Sequence, residues 1–455
     1  MNERLFGTDG IRGVANEHPM TADMALRLGR AAGHVFRRGD RPHTILIGKD
    51  TRQSGYMFEN ALTAGLCSMG VNVLLVGPLP TPGVSYIMRS LRTDAAIMIS
   101  ASHNPFQYNG IKFFGPDGFK LDDKLEDEIE ALVMGDEIDH FKPAPDGIGW
   151  ARRIDDAAGR YIEFAKASFP RDLRLDGLRI VVDCAHGAAY KVAPNALAEL
   201  GAEIIPVGVN PNGININHRC GSVHPEEMRA TVIRERADLG VAFDGDGDRV
   251  VMADNDGRLL DGNALLAVLA RDLLERGALT HDTLATTIMA NGGLQRAIAP
   301  WNAQIAWTKV GDRHVVETMR EHGLVLGGES SGHIVLLEHN TTGDALITAL
   351  QVLAAMLRKA QGLSVLGSAY QPLPEAHRTV PLNGRAKPEK DVLDQISERA
   401  MEELGGKGRI VLRPSGTEPI VRVMVQHDDG RVAEQLTERI ANEIAALGEL
   451  AVKEG

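Results

Sequence analysis

Residues Phe243-Asp244-Gly245-Asp246-Gly247-Asp248-Arg249 set three carboxylates at alternate positions with a glycine in each gap. Glycine permits the backbone angles such a loop needs to turn its side chains inward. All-oxygen donors suit a hard cation, Mg²⁺ or Ca²⁺, rather than zinc. An EF-hand reading fails on position: the calcium loop wants Gly and Glu where this chain has Arg249 and Asn255. A plain solvated turn would leave three like charges in mutual repulsion. Arg249, next to the cluster, is suited to hold a phosphate beside the metal.

A second candidate is Met98-Ile99-Ser100-Ala101-Ser102-His103-Asn104-Pro105, where Asn104 and Pro105 favour a turn. Neighbouring residues of an extended chain point to opposite sides, so His103 is expected to be poorly placed as a base for Ser102. There is also no G-x-S-x-G elbow. From this loop alone an ordinary polar turn is an equal reading. Beside a metal loop another reading gains: a phosphorylated serine is a phosphoryl donor, and Mg²⁺ would neutralise its oxygens during transfer. Lys112, in Asn-Gly-Ile-Lys-Phe-Phe, offers further positive charge or proton transfer, or is a surface lysine.

Two more loops carry polar chemistry. Gly328-Glu329-Ser330-Ser331-Gly332-His333 presents side chains that can bond adjacent sugar hydroxyls, or that simply make a turn. Arg413-Pro414-Ser415-Gly416-Thr417-Glu418-Pro419 brings a guanidinium fork and two hydroxyls to one place, the equipment for a terminal phosphate, with Arg422 close by. No Walker A or G-x-G-x-x-G sequence supports a nucleotide loop.

Each loop follows a short run rich in Val and Ile: AAIMISAS (95–102), LGVAFDGDGD (239–248), LVLGGESSG (324–332) and RIVL (409–412). Such runs read as strands buried on both faces. Helical patterns lie between them; Leu346, Leu350, Leu353 and Leu357 share one helical face, followed by Arg358, Lys359 and Gly362. Strands alternating with helices predict parallel α/β sheets. With 455 residues, roughly three domains of about 150 are expected. The divisions predicted are 1–150 with the serine loop, 151–256 with the metal loop, 257–370 with the sugar loop, and a smaller α+β unit over 371–455. Val432, Leu436, Ile440 and Ile444 form the apolar face of its final helix.

The net charge of −12 gives no general attraction for nucleic acid or anionic membrane, so an anionic substrate requires local positive charge from particular residues. Cys67, Cys184 and Cys220 are odd in number and far apart, which predicts reduced thiols and a cytoplasmic protein. The first ten residues lack an apolar signal core, and no apolar run is long enough to span a bilayer.

GTDGIRG (7–13), SASHNP (100–105), DGDGDR (244–249), GESSGH (328–333) and RPSGTEP (413–419) together resemble the alpha-D-phosphohexomutase superfamily, in its motif order and across nearly the whole chain. RLFGTDGIRG (4–13), ISASHNPF with NGIKFF, and NINHRCGSVHPE (215–226) resemble the branch that interconverts glucosamine 6-phosphate and glucosamine 1-phosphate for UDP-N-acetylglucosamine and cell-wall synthesis. The resemblance implies three similar α/β domains with mixed sheets and a C-terminal TATA-box-binding-protein-like α+β domain, around a central cleft. It implies phosphoserine at Ser102, whose phosphate joins Asp244, Asp246 and Asp248 on one Mg²⁺. Arg12 and Lys112 become general acid/base candidates. Glu329 and Ser331 become sugar ligands with His333 nearby, and Arg413, Ser415, Gly416, Thr417 and Arg422 hold the unreactive phosphate. Glucosamine 1,6-bisphosphate is the implied intermediate and primer. A homodimer is left open, and no nucleic-acid or membrane partner is expected. Ser330 departs from the Gln or Met common in the family, which bears on fine sugar preference. The competing readings are a mannose or glucose phosphate mutase, a Mg²⁺-dependent sugar phosphatase and a noncatalytic phosphosugar sensor.

Overall fold

The computed structural model describes residues 4–7, 9–39, 41–382, 387–405, 407–415 and 419–450, with 448–450 as backbone only. Four sheets result. The first runs in the order Ile11–Val14, Tyr108–Phe114, Ala95–Ile99, His43–Lys49, Val71–Pro78, Ala151–Arg153. The second runs Leu259–Leu260, Val250–Asp254, Leu239–Phe243, Arg179–Asp183, Glu203–Val207. The third runs Gln304–Thr308, Thr283–Thr287, Leu326–Gly328, Ile334–Leu336. The fourth is the antiparallel set Glu375–Pro381, Ile420–His427, Gly408–Pro414, covered by helices Lys390–Glu403 and Gly430–Leu450. The expected class, α/β units with mixed sheets and a smaller α+β unit, is the one observed. The first sheet takes its last strand, Ala151–Arg153, from just past residue 150.

One plan recurs in the first three sheets. Three parallel strands lie side by side, and a fourth pairs antiparallel with the third: Tyr108–Phe114 on Ala95–Ile99, Val250–Asp254 on Leu239–Phe243, and Ile334–Leu336 on Leu326–Gly328. The third strands, AAIMI, LGVAF and LGG, contain only apolar residues and glycine and are fully buried, as strands covered on both faces require. Helices bury the faces of these sheets. Ala345–Lys359 starts at Asp344, whose carboxylate accepts from Ile347 N. It closes at Ala360 in the left-handed conformation rather than at Gly362. Its last-turn cations pair with the neighbouring helix Gly262–Glu275: Arg358 with Asp272 at 2.7 Å, and Lys359 with Glu275.

The first three units share a continuous core. It runs from Leu46 and Phe114 through Val182 and Phe243 to Leu284 and Leu353. Burying each such side chain contributes roughly 1.5–3 kcal/mol, so the three are fused by burial more than by polar ties. The fourth unit has its own core, including Val380, Ile396, Val423 and Ile440. Polar contacts join it to the third: Arg409 donates to the carbonyls of Ala290 at 2.6 Å and Ile288 at 3.1 Å, and Gly292 N donates to Gln426 Oε1 at 2.8 Å.

The second and third sheets also meet through backbone. Arg249 and His333 form an antiparallel bridge, and Val250 N donates to Gly332 O at 3.1 Å. Gly332 has φ +89°, and a Cβ there would sit on the Val250 carbonyl. Overpacking of this kind costs about 1–3 kcal/mol. Gly332→Ala is therefore expected to lower the thermal midpoint by about 1–3 °C in differential scanning calorimetry; an unchanged midpoint would show that the two loops can part freely.

Candidate active site

Three of the four sequence loops are hairpin turns. Residues 100–107 join Ala95–Ile99 to Tyr108–Phe114, and 244–249 join Leu239–Phe243 to Val250–Asp254. Residues 329–333 join Leu326–Gly328 to Ile334–Leu336, and in the fourth sheet Gly408–Pro414 pairs antiparallel with Ile420–His427. The first three therefore sit at the carboxyl ends of parallel strands, where open α/β sheets place ligands.

The serine and aspartate loops meet. Ser102 Oγ donates to Asp244 Oδ2 at 2.6 Å, across 142 residues of sequence. Asp244 Oδ1 accepts Asp248 N at 3.1 Å and Arg249 N at 3.2 Å, which curls the turn. Asp244, Asp246 and Asp248 are all buried, and one oxygen from each lies within 4.8 Å of the others. Asp246 Oδ1 and Asp248 Oδ1 are buried with no hydrogen-bond partner. Orphaned carboxylate oxygens aimed at one point fit a hard cation such as Mg²⁺. Burial, with Asp248 and Asp246 adding repulsion, pushes Asp244 well above the usual carboxylate range. Burial would raise Asp248 too, but Lys112, His333 and Arg249 overcome it and hold that carboxyl low.

Lys112 is fully buried at this cluster. Its Nζ lies 3.0 Å from Asp246 Oδ2, 3.1 Å from Asp9 Oδ2 and 3.7 Å from Asp248 Oδ2. Burial alone would lower its pKa, but Asp246, Asp9 and Asp248 raise it, so it stays a cation. It is no surface lysine. Arg12, in the strand paired with Tyr108–Phe114, lies against Asp9. Lys120 bridges Asp9 to Asp312, and His333 stands 3.6 Å from both Asp248 and Asp312. His333 thus serves the junction of metal loop and helix Asp312–His322 as well as lining the cleft. Asp9, Lys120 and Asp312 escaped the sequence reading. Asp9 lies inside GTDGIRG and Asp312 directly after a strand run, but Lys120 carries no sequence signal. Thr81 was also missed: it donates through its amide to Asp246 O at 2.8 Å and through Oγ1 to Asp246 Oδ2 at 2.7 Å.

His103 corrects an expectation. Ser102 is not extended but left-handed, with φ +51°, and this brings His103 Nδ1 to 3.4 Å from Ser102 Oγ. The ring is still no base for the serine. Arg249 Nη1 lies 3.0 Å from Nδ1, and burial with the charges of Arg249 and Arg12 lowers its pKa to about 4.

A cleft of about 400 Å³ opens in front of this cluster, lined by Arg4, Asp9, Arg12, Asp248, Arg249, Asp312, Glu329 and His333 among others. Glu329 Oε1 accepts Gly311 N at 3.3 Å, and Ser331 Oγ donates to Glu329 Oε2 at 3.4 Å. The local positive charge demanded by the acidic chain comes from Arg4, Arg12 and Arg249 at the wall and Lys112 behind it. In the fourth sheet Arg413 and Arg422 occupy directly paired cross-strand positions. Like charges directly opposite in a sheet repel. Lys387 donates to Ser415 O at 2.7 Å. Gly416 and Thr417 lie outside the described residues.

Asp183 fastens the neighbouring loops. Its carboxylate accepts Ala185 N at 2.9 Å and Gly221 N at 2.7 Å, joining the end of Arg179–Asp183 to the NINHRCGS segment. Burial raises its pKa to about 6 against these two amides.

Family models for phosphoglucomutase/phosphomannomutase match domain I over residues 3–138, domain II over 159–257, domain III over 261–373 and the C-terminal domain over 371–443. The chain belongs to the phosphoglucomutase/phosphomannomutase family. Among its curated relatives are the phosphoglucosamine mutases of Magnetococcus marinus, 59% identical over 94% of this chain and 88% of that protein, and of Anaeromyxobacter dehalogenans, 52% identical over 98% and 99%. The fold is similar to a Burkholderia thailandensis phosphoglucomutase/phosphomannomutase family protein (TM-score 0.79, 24% identity, covering 98% of this chain and 99% of that one). It is also similar to Aspergillus fumigatus N-acetylphosphoglucosamine mutase, solved with GlcNAc-6P and magnesium (TM-score 0.66, 18% identity, covering 98% and 96%). Among the described residues no helix is long and apolar enough to cross a membrane.

Two outcomes follow from the geometry. Asp246→Asn is expected to weaken Mg²⁺ binding by at least about tenfold in titration calorimetry, since even outer-shell changes cost that much; unchanged affinity would move the metal elsewhere. For Asp183 the folded pKa lies above the ordinary 3.8, so the folded state holds the extra proton and stability falls as pH rises from about 4 to about 6. The full effect is about 3 kcal/mol, and it should vanish from the pH profile of Asp183→Asn in denaturant titrations; parallel wild-type and variant profiles would contradict it.

Proposed function

We propose that this chain interconverts glucosamine 6-phosphate and glucosamine 1-phosphate, with Ser102 as phosphoryl carrier, and so feeds UDP-N-acetylglucosamine synthesis. The observation that carries the reading is the Ser102 hydroxyl 2.6 Å from Asp244 in a loop built for a cation. The phosphoglucosamine mutase relatives support the amino sugar as substrate.

Asp244, Asp246 and Asp248 would hold one Mg²⁺, with the Ser102 phosphate as a further ligand. The bound ion supplies neutralisation of charge on the transferring phosphoryl oxygens. In the first half-reaction the bond between Ser102 Oγ and phosphorus breaks, and a bond forms from phosphorus to the substrate's free hydroxyl. The proton of that hydroxyl ends on Ser102 Oγ. The resulting glucosamine 1,6-bisphosphate turns in the cleft, and its other phosphate returns to Ser102. Lys112, cationic beside Asp246, and Arg12 stabilise the charge of transfer and are the candidates for exchanging the proton; the raised pKa of Lys112 keeps it a cation for the first of these roles. Arg249 and His333 face the cleft from the metal side. Glu329 and Ser331 bond sugar hydroxyls. Arg413, Ser415, Gly416, Thr417 and Arg422 hold the phosphate that is not reacting, and must accept it from either end of the sugar.

Intact-protein mass spectrometry should find one phosphate on part of the wild type and none on Ser102→Ala, and the variant should lose mutase activity. Phosphate surviving on Ser102→Ala would relocate the carrier. Faster turnover of glucose 1-phosphate than of glucosamine 6-phosphate would reassign the substrate, and stoichiometric release of inorganic phosphate would indicate a phosphatase. Arg413→Ala should lower kcat/KM by about 10–100-fold, the equivalent of a lost charge-assisted contact.

A further inference from the structure

The backbone of the serine loop is held by two side chains from elsewhere in the chain. Asn217 Nδ2 donates to Ser102 O and to Asn104 O, both at 2.9 Å. Arg52 Nη2 donates to the same two carbonyls, at 3.2 Å and 2.5 Å. A carbonyl oxygen has two lone pairs, so both carbonyls are saturated by this one pair of residues. The amide of Ser102 is also fixed: it donates to Ser100 Oγ at 2.9 Å, which donates to Asp50 Oδ2 at 2.7 Å. Asp50 pairs with Arg52 and accepts Arg52 N at 2.9 Å, which closes the ring of contacts.

None of these bonds belongs to a sheet or helix ladder. All of them surround a non-glycine residue in the left-handed region, a conformation that persists only where its surroundings over-determine it. Arg52 and Asp50 are wholly inaccessible to solvent and Asn217 nearly so. A buried ion pair of this kind contributes little net stability. Its effect here is geometric. Asn217 arrives on the NINHRCGS segment of the second unit, anchored by its own amide to Ala185 O at 2.9 Å. Arg52 arrives from the end of His43–Lys49 in the first. The aspartate loop is also on the second unit, so the clamp ties the hydroxyl bearer and the metal bearer to one frame.

We infer that Arg52 and Asn217 are positioning residues that lock Ser102 in its left-handed turn and so aim its Oγ at the Asp244 loop for phosphoryl transfer. They touch no reacting atom and act through the Ser102 and Asn104 carbonyls. The inference rests on Ser102 being the phosphoryl carrier.

Asn217→Ala removes one half of the clamp. Arg52→Lys keeps a charge opposite Asp50 but loses the planar fork. Misplacement of about 1 Å costs about 100-fold in rate. In each variant kcat for glucosamine 6-phosphate and the rate of Ser102 phosphorylation by glucosamine 1,6-bisphosphate are expected to fall together by about that factor, with KM within about threefold of wild type. Hydrogen exchange should show residues 100–105 as protected as Ala95–Ile99 in wild type and faster in Asn217→Ala. A folded Asn217→Ala enzyme with wild-type kcat, or a loss confined to KM, would overturn the inference. If neither variant folds, wild-type exchange decides: loop-like exchange at 100–105 overturns it and strand-like protection supports it. Mass spectrometry of wild type separates the two readings. Phosphoserine present with full kcat in Asn217→Ala defeats the clamp alone, whereas no phosphate on Ser102 defeats the carrier.

Discussion

Three carboxylates buried in one hairpin turn cannot remain ionised without opposite charge close by, because burial strips the solvent that would otherwise screen them. Much of the architecture around Asp244, Asp246 and Asp248 meets that constraint. Lys112 reaches them from the first sheet, Arg249 from their own loop and His333 from the third. These groups in turn need balancing, and Asp9, Lys120 and Asp312 extend the alternation of sign outward to the cleft wall. Several links cross from one unit to another, Lys112 to Asp246 and Asp248, His333 to Asp248 and Lys120 to Asp312, so the electrostatics of the metal loop and the relative placement of the first three units are one problem.

The shared apolar core makes that solution durable. Charged groups held by side-chain contacts alone would wander, since ion pairs at partly exposed positions contribute little. Here the strands that present them are buried on both faces and continuous with one core across three sheets. The fourth unit stands apart from this arrangement. Its core is separate, and its ties to the third unit include hydrogen bonds through Arg409, Asn291 and Gln426, the Arg296–Asp428 ion pair and Arg409 over the Trp307 ring. Polar joints with little buried apolar surface are the places where domains move most cheaply. Arg413 and Arg422, directly opposite each other in its sheet, are carried on such a joint.

The sequence is legible where chemistry is contiguous. DGDGDR, SASHNP, GESSGH and RPSGTEP each announce their donors within a few residues, and the runs before them mark the strands that carry them. The pairing of Ser102 with the aspartates was also legible, since a metal loop lacking a phosphoryl group and a serine lacking a base each completed the other. What stayed hidden depends on distance or on backbone sign. Lys120 looks like any helix-flanking lysine until Asp9 and Asp312 close on it. Asn217 reads as one asparagine in a polar loop. An extended backbone sets His103 away from the Ser102 hydroxyl, and the left-handed turn at Ser102 reverses that geometry.

That turn has a bearing on which hydroxyl amino acid can occupy the position. Serine and threonine offer the same oxygen to phosphorus, and solution chemistry hardly separates them. At φ +51° a branched Cβ is a steric outlier, whereas an unbranched one is tolerated. The choice of serine over threonine at residue 102 is therefore made by the peptide chain.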